Sequence, residues 1–301
     1  MDYTIGIDIG GTNFRIGMVS KDGQIENFEK NSSRIFGSGD VIETLFLQIS
    51  DYIKRYNAKD KIKAVAIGLP SMVSKDKKTV ISTPNLKGFD NILFGDVLEE
   101  KLGFPIFIDR DVNYLLQNDM VKLELPTDLT VLGFYIGTGF GNAIYLNGGF
   151  YCGRNGAAGE LGHIPLLDIK EKCTCGNVGC SEVRCSGKYL EALCEKLFPK
   201  TAISDVFKNH SDNKEIIKFV KDLAIPIATE INILDPDYII LAGGVIYMQD
   251  FPKDILVESI HFHTRKPYPE KNLRILFSKH NQQSGVYGSG NFAWHRLNQQ
   301  K

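Results

Sequence analysis

Two glycine turns, Gly10-Gly11 and Gly137-Thr-Gly-Phe-Gly141, each fall between two short apolar strands, and this repeated arrangement constrains the fold more than any other feature of the chain. Residues 3–9, 14–19 and 24–30 read as a three-stranded meander, joined by the first glycine turn and by Asp22-Gly23. Val41, Ile42, Leu45, Ile49, Tyr52 and Ile53 then recur with a helical period over 41–56, and Ala64-Val-Ala-Ile-Gly68 reads as a buried strand. The scheme begins again at 130–136, passes through the second glycine turn into 142–146, and supplies a long helix over 213–234, a strand at 238–241 and a turn at Gly243-Gly244. Strands followed by a helix and a further strand predict a mostly parallel α/β sheet with helices on its faces. Two copies of the scheme, with no shorter period, predict a duplicated domain in place of a solenoid.

A chain of 301 residues can bury two cores, so two lobes with a cleft between them are expected. The first lobe is expected over 1–118, with 291–301 returning to it, and the second over 119–290. Residues 109–121 read as a helix entering at the cleft, and 159–185 as a loop-rich insertion. Lys and Arg number 35 against 36 Asp and Glu, so no global positive field draws the chain to nucleic acid or to an anionic membrane surface. A small-molecule substrate is the better expectation. The start of the chain carries no basic, apolar leader and no apolar stretch reaches membrane-spanning length, which predicts a cytoplasmic protein.

The glycine turns carry the first chemistry. Asp8 ends a strand, Gly10 and Gly11 let backbone N–H groups approach phosphate oxygens, and Thr12 and Asn13 add side-chain donors. Gly137, Thr138, Gly139 and Gly141 repeat the pattern in the second half, so the two turns could grip a polyphosphate from both sides. A tight hairpin accounts for either turn taken alone. Gly243 and Gly244 could let an adenine or ribose lie against backbone. Neither turn has the spacing of a P-loop or of a dinucleotide-binding glycine motif.

Four of the six cysteines crowd into the insertion. His163 with Cys173, Cys175 and Cys180 offers one imidazole and three thiolates, the donor set of a closed, structural zinc site; Cys185 could stand in for His163. Asp109 and Asp111 follow the apolar strand 105–108, at a strand end where α/β folds place reactive groups. Either could serve as a base or merely cap the following helix. Glu160 and Glu182 flank the cysteine loop and would face the cleft if a metal closed it.

Together Asp8-Ile-Gly-Gly-Thr-Asn13, Asp111-Val-Asn113, Gly137-Thr-Gly-Phe-Gly141, Gly159-Glu-Leu-Gly-His163, Cys173-Thr-Cys-Gly-Asn-Val-Gly-Cys-Ser-Glu182 and Leu241-Ala-Gly-Gly244 resemble the ROK family of repressors and sugar kinases, over nearly the whole chain and in the expected order. The resemblance implies a two-lobed, actin-like ATPase fold of the ribonuclease-H type, with sugar and ATP in an interlobe cleft beside a small zinc-bound loop. It implies Asp111 as general base toward a 6-hydroxyl, the two glycine turns as phosphate loops, and magnesium near Asp8. It also implies Asn85, Asn113, Glu160, His163 and Glu182 as sugar contacts, and His163, Cys173, Cys175 and Cys180 around zinc. Relatives acting on glucose carry Asn immediately before the base; here that position is Arg110. With the neighbouring segments 69–76, 82–86 and 155–163, Arg110 makes the chain most similar to the D-allose kinases of the family. A glucokinase or an N-acylhexosamine kinase is the alternative, with Arg110 only ion-paired. A sugar-responsive repressor would need a helix-turn-helix, for which the first glycine turn leaves no room ahead of it. A homodimer is compatible with this reading.

Overall fold

The computed structural model describes residues 1–37, 39–83 and 86–299, and contacts divide the chain into two compact units. One comprises Met1–Leu125, Cys152–Ala158 and Asn281–Lys301; the other comprises Pro126–Tyr151 and Gly159–His280. In the first unit β1 (Tyr3–Ile9), β2 (Asn13–Ser20) and β3 (Ile25–Ser32) form the antiparallel meander. Helix α1 (Val41–Arg55) follows, then β4 (Ile62–Leu69), which pairs parallel with β1. Three very short strands, β5 (Met72–Val73), β6 (Thr79–Ser82) and β7 (Ile92–Leu93), make a small sheet of their own. Helix α2 (Phe94–Leu102), β8 (Ile106–Arg110) and α3 (Asp111–Lys122) complete the run.

The second unit repeats the plan with β9 (Val131–Ile136), β10 (Phe140–Leu146) and β11 (Gly149–Phe150). Helices α4 (Gly187–Leu197), α5 (Val206–His210) and α6 (Lys214–Leu234) precede β12 (Tyr238–Ala242), α7 (Lys253–His263) and β13 (Ile275–Phe277). The last helix, α8 (Ser284–Gln299), belongs to the first unit, where it packs on β1 and α3. The sheet orders are β3-β2-β1-β4-β8 and β11-β10-β9-β12-β13. In both, the first three strands are antiparallel neighbours and the last two join in parallel, so the duplication expected from the glycine turns is a duplication of sheet topology.

Local chemistry explains the elements. Asp40 caps α1 by accepting from Ile42 and Glu43 N–H, and Val41, Leu45, Ile49, Tyr52 and Ile53 bury one face of that helix. Each sheet has its own apolar core, with Ile5, Ile7, Val65 and Ile67 in one and Leu132, Phe134, Phe219 and Leu241 in the other. Among the described residues no helix is long and apolar enough to cross a membrane.

One buried charge stands out in the second core. Glu230 on α6 is 6% exposed and accepts from Asn142 Nδ2 at 2.7 Å, and burial pushes its carboxyl up to about 7 against the downward pull of that amide. The native state therefore holds a proton that the unfolded chain has already released, and stability falls as pH rises from the ordinary glutamate range to about 7. Glu230→Gln should remove this slope and stabilise the protein at pH 8 by about 2–3 kcal/mol, with little effect at pH 4.5. Urea melts of both proteins at the two pH values check this; an equal difference at both would contradict it.

Candidate functional site

In the first unit the chemistry gathers at the ends of the parallel strands. Cross-strand register sets Asp8 beside Gly68 and Gly68 beside Asp109, so β1, β4 and β8 finish level with one another. Asp8 accepts from Arg15 Nη1 at 2.8 Å, while Arg15 Nε donates to Gln282 Oε1 at 3.1 Å. Burial raises the Asp8 carboxyl above its usual range, and Arg15 opposes the shift. In the first glycine turn Gly10 N donates to Asn13 O (2.8 Å), Ser33 N to Thr12 O (3.0 Å) and Ser33 Oγ to Gly10 O (2.6 Å). These bonds turn carbonyls inward and leave the N–H groups of Gly11 and Thr12, both exposed, without a partner among the described residues.

The structure separates Asp109 from Asp111. Asp109 is 1% exposed, and its Oδ1 accepts from Lys77 Nζ (2.7 Å), Arg110 N (2.8 Å) and Asn113 Nδ2 (2.8 Å). Three donors on one oxygen make it an internal anchor for the start of α3. Asp111, half-buried at the first position of that helix, accepts from Val112 N at 2.8 Å. Of the two, Asp111 is the more exposed. Arg110 is 9% exposed, and its Nη1 donates to Ala158 O at 2.6 Å, which fastens segment Cys152–Ala158 to the entry of α3 within this unit. Asn85 lies outside the described residues.

In the second unit the glycine turn at 137–141 is pinned from two sides. The amides of Gly187 and Lys188, at the start of α4, donate to Gly137 O (2.8 Å) and Thr138 O (3.0 Å). Gly137 N donates to Gly139 O at 3.1 Å, and Phe140 N donates to Glu182 Oε2 at 2.8 Å. A side chain at residue 139 would put its Cβ 2.6 Å from that carboxylate oxygen, so only glycine admits the contact. The N–H groups of Thr138 and Gly139 have no partner among the described residues, whereas Gly141 lies in β10 opposite Tyr135. Gly243, after β12, has φ +107 and passes so close to Ile136 O that a Cβ would sit 2.3 Å from it. Gly244 follows it, and Val245 N donates to the same Ile136 oxygen.

His163, Cys173, Cys175 and Cys180 form a cluster whose ligand atoms all lie within 4.8 Å of one another. Cys173 Sγ is 3.6 Å from His163 Nδ1, and Cys175 Sγ is 3.6 Å from Cys180 Sγ. Tetrahedral zinc with Zn–S near 2.3 Å and Zn–N near 2.0 Å requires ligand edges of about 3.5–3.8 Å. The donor set and its spacing therefore fit zinc. Burial, then the neighbouring Cys175, pushes the Cys180 thiol up to about 12, so a cation is what would make it a thiolate. Cys185 does not share this cluster. It is buried in the core and points its Sγ at Asp222 O (3.4 Å), which corrects the expectation that it could replace His163. His163 keeps Nε2 away from the cysteines, 3.7 Å from Glu160 Oε2.

Sequence reasoning missed three charged partners: Lys77 of Asp109, Arg15 of Asp8 and Arg184 of Glu171. Lys77 sits in the run Lys75-Asp-Lys-Lys78, which reads as a solvated charge cluster; in the fold its backbone is left-handed, φ +61, and its Nζ meets Asp109. Arg184 bridges Glu171 of the cysteine loop and the Tyr189 hydroxyl of α4, a pairing across 18 residues that no local pattern announces.

The ROK family matches residues 4–296, and the chain belongs to that family. Among curated relatives, the N-acetyl-D-glucosamine kinase of Vibrio cholerae is 28% identical over 307 residues, covering 94% of this chain and 97% of that protein. The ROK hexokinase of Thermus thermophilus superposes with a TM-score of 0.81 at 20% identity, over 99% of both chains. A ROK-family glucokinase of Streptomyces griseus, solved with glucose and AMPPNP, superposes with a TM-score of 0.77 at 22% identity, over 97% of this chain and 99% of that one. The fold is thus the actin-like ATPase fold of ROK kinases.

Proposed function

We propose that the chain is an ATP-dependent hexose kinase that phosphorylates the 6-hydroxyl, with D-allose as its substrate. The observation that carries the reading is the contrast in burial between the two aspartates: Asp109 is 1% exposed with three donors on its Oδ1, while Asp111 stands half-buried at the helix start. Family membership and relatives named as sugar kinases support the same reaction class.

In this mechanism Asp111 accepts the proton of the sugar hydroxyl as its oxygen adds in line to the γ-phosphorus and the bond to the ADP oxygen breaks. The N–H groups of Gly11, Thr12, Thr138 and Gly139, with the side chains of Thr12 and Asn13, hold phosphate oxygens, and Gly243-Gly244 admits the nucleoside. Asp8 is the carboxylate we assign to hold magnesium, which would supply positive charge to the phosphates of bound ATP. Asn113, whose amide is fixed by Asp109, binds the sugar together with Glu160, His163, Glu182 and Asn85. Zinc, when bound, fixes the tautomer and angle of His163 so that Nε2 can meet a hydroxyl.

Arg110 carries the sugar assignment. An Asn there would reach the equatorial 3-hydroxyl of glucose; a guanidinium anchored by Ala158 O is longer and offers a planar fork of donors, suited to the opposite epimer. Relatives named for N-acetyl-D-glucosamine favour an N-acylhexosamine as the second reading. ADP release measured across D-allose, D-glucose, N-acetyl-D-glucosamine, N-acetyl-D-mannosamine and D-fructose tests both. We expect kcat/KM for D-allose to exceed that for D-glucose by roughly tenfold or more, the scale of one well-placed polar contact. Equal values would defeat the role of Arg110, and a preference for an N-acyl sugar would establish the second reading.

A further inference from the structure

We propose that Glu182 is a positioning residue for the nucleotide: through it, the metal-braced loop sets the shape of the second phosphate turn. This rests on the kinase reading above but gives Glu182 a task distinct from touching sugar. The peptide between Gly139 and Phe140 is held at both ends, its C=O by Gly137 N–H and its N–H by Glu182 Oε2. Gly137 O and Thr138 O are held by the start of α4. Of these four bonds, only the one to Glu182 comes from outside the turn and α4. Remove it and the 139–140 peptide can rotate, taking with it the Thr138 and Gly139 N–H groups that have no partner among the described residues.

Glu182 is itself set by the cysteine loop. It lies in a short 3-10 turn, Ser181–Val183, that begins directly after Cys180. Ser181 N donates to Ile164 O (2.9 Å), and Ser181 Oγ donates to Leu161 O (2.7 Å), so this turn is tied on either side of His163. Val183 N donates to Cys180 O at 3.2 Å. Two of the four metal-ligating residues thus flank the carboxylate that holds Phe140 N–H, and the glycine at 139 is what leaves space for it. The arrangement fixes phosphate donors without placing a cation or a second side chain in the turn.

The test is titration of ADP by calorimetry, with no sugar present, into zinc-replete wild type, Glu182→Ala and Glu182→Gln, alongside KM for hexose. Loss of a charge-assisted hydrogen bond weakens an interaction by roughly tenfold or more. We expect Glu182→Ala to weaken ADP binding by at least about tenfold. Glu182→Gln should stay within about threefold of wild type, since its amide oxygen can accept the same N–H. A role confined to sugar contact predicts unchanged ADP affinity in both variants and a raised hexose KM, and that result would overturn the proposal. If Glu182→Ala fails to fold or loses zinc, Gly139→Ala decides, because its methyl evicts the carboxylate while every metal ligand stays in place. Gly139→Ala and the double variant with Glu182→Gln should then be equally weak, and full ADP affinity in Gly139→Ala would contradict the coupling. A wild-type protein that turns over but shows no dependence of ADP affinity on Glu182 sinks this inference alone; wild type that binds no ADP removes the kinase reading with it.

Discussion

Asp111→Asn is expected to lower kcat by about 10²–10⁴-fold while leaving KM for ATP and hexose within a few-fold of wild type. The amide matches the carboxylate in size and its oxygen can still accept from Val112 N–H, so the start of α3 survives. What it lacks is basicity: it cannot take the hydroxyl proton as the new O–P bond forms. The neighbouring change Asp109→Asn should behave in the opposite way, lowering stability before it touches chemistry, because Lys77 Nζ would then point its charge at a neutral group in a buried network. Steady-state kinetics with thermal melts separates the two. Near-normal turnover in Asp111→Asn would strip that residue of its role.

Removal of the metal should have the second-largest effect. A closed four-ligand site implies about one zinc per chain. Cys180→Ser or chelation should free the stretch 167–179, where Leu167 and Val178 are exposed, while the core built on Phe219, Leu223 and Leu241 holds the rest of the unit folded. His163 then loses its orientation, and loss of such support typically costs 10–100-fold in affinity or activity. Zinc quantification, hydrogen exchange over the loop and hexose KM measure the three consequences. Fully active protein free of metal would refute the site.

How far the sequence reveals this molecule depends on the range of the interaction. Helices α1 and α6 are legible because their apolar residues recur at 3–4 positions and a polar cap precedes each, Asp40 and Asn213. The glycine turns and the metal cluster are legible because their chemistry is compressed into a few residues. Strands β5, β6 and β7, of two to four residues, carry too little pattern to detect. By local pattern alone Asp109 and Asp111 read alike as strand-end carboxylates, and the choice of Asp111 rests on the family resemblance; that Asp109 is tied down by Lys77, 32 residues away, is visible only in the fold. Likewise nothing near Glu182 in the sequence announces the bond it accepts from Phe140 N–H, 42 residues away. Residues Cys152–Ala158 lie between two stretches of the second unit in sequence, yet they join the first through Arg110 and through Gly156, whose Cβ position is filled by Val73 O.

Phosphorus NMR of wild type incubated with ATP, magnesium and D-allose tests the central claim most directly, with Asp111→Asn as the paired control. The account predicts one ADP and one hexose 6-phosphate for each ATP consumed by wild type, and almost none from the variant. Free inorganic phosphate in place of a sugar phosphate, or equal product from both proteins, would contradict it.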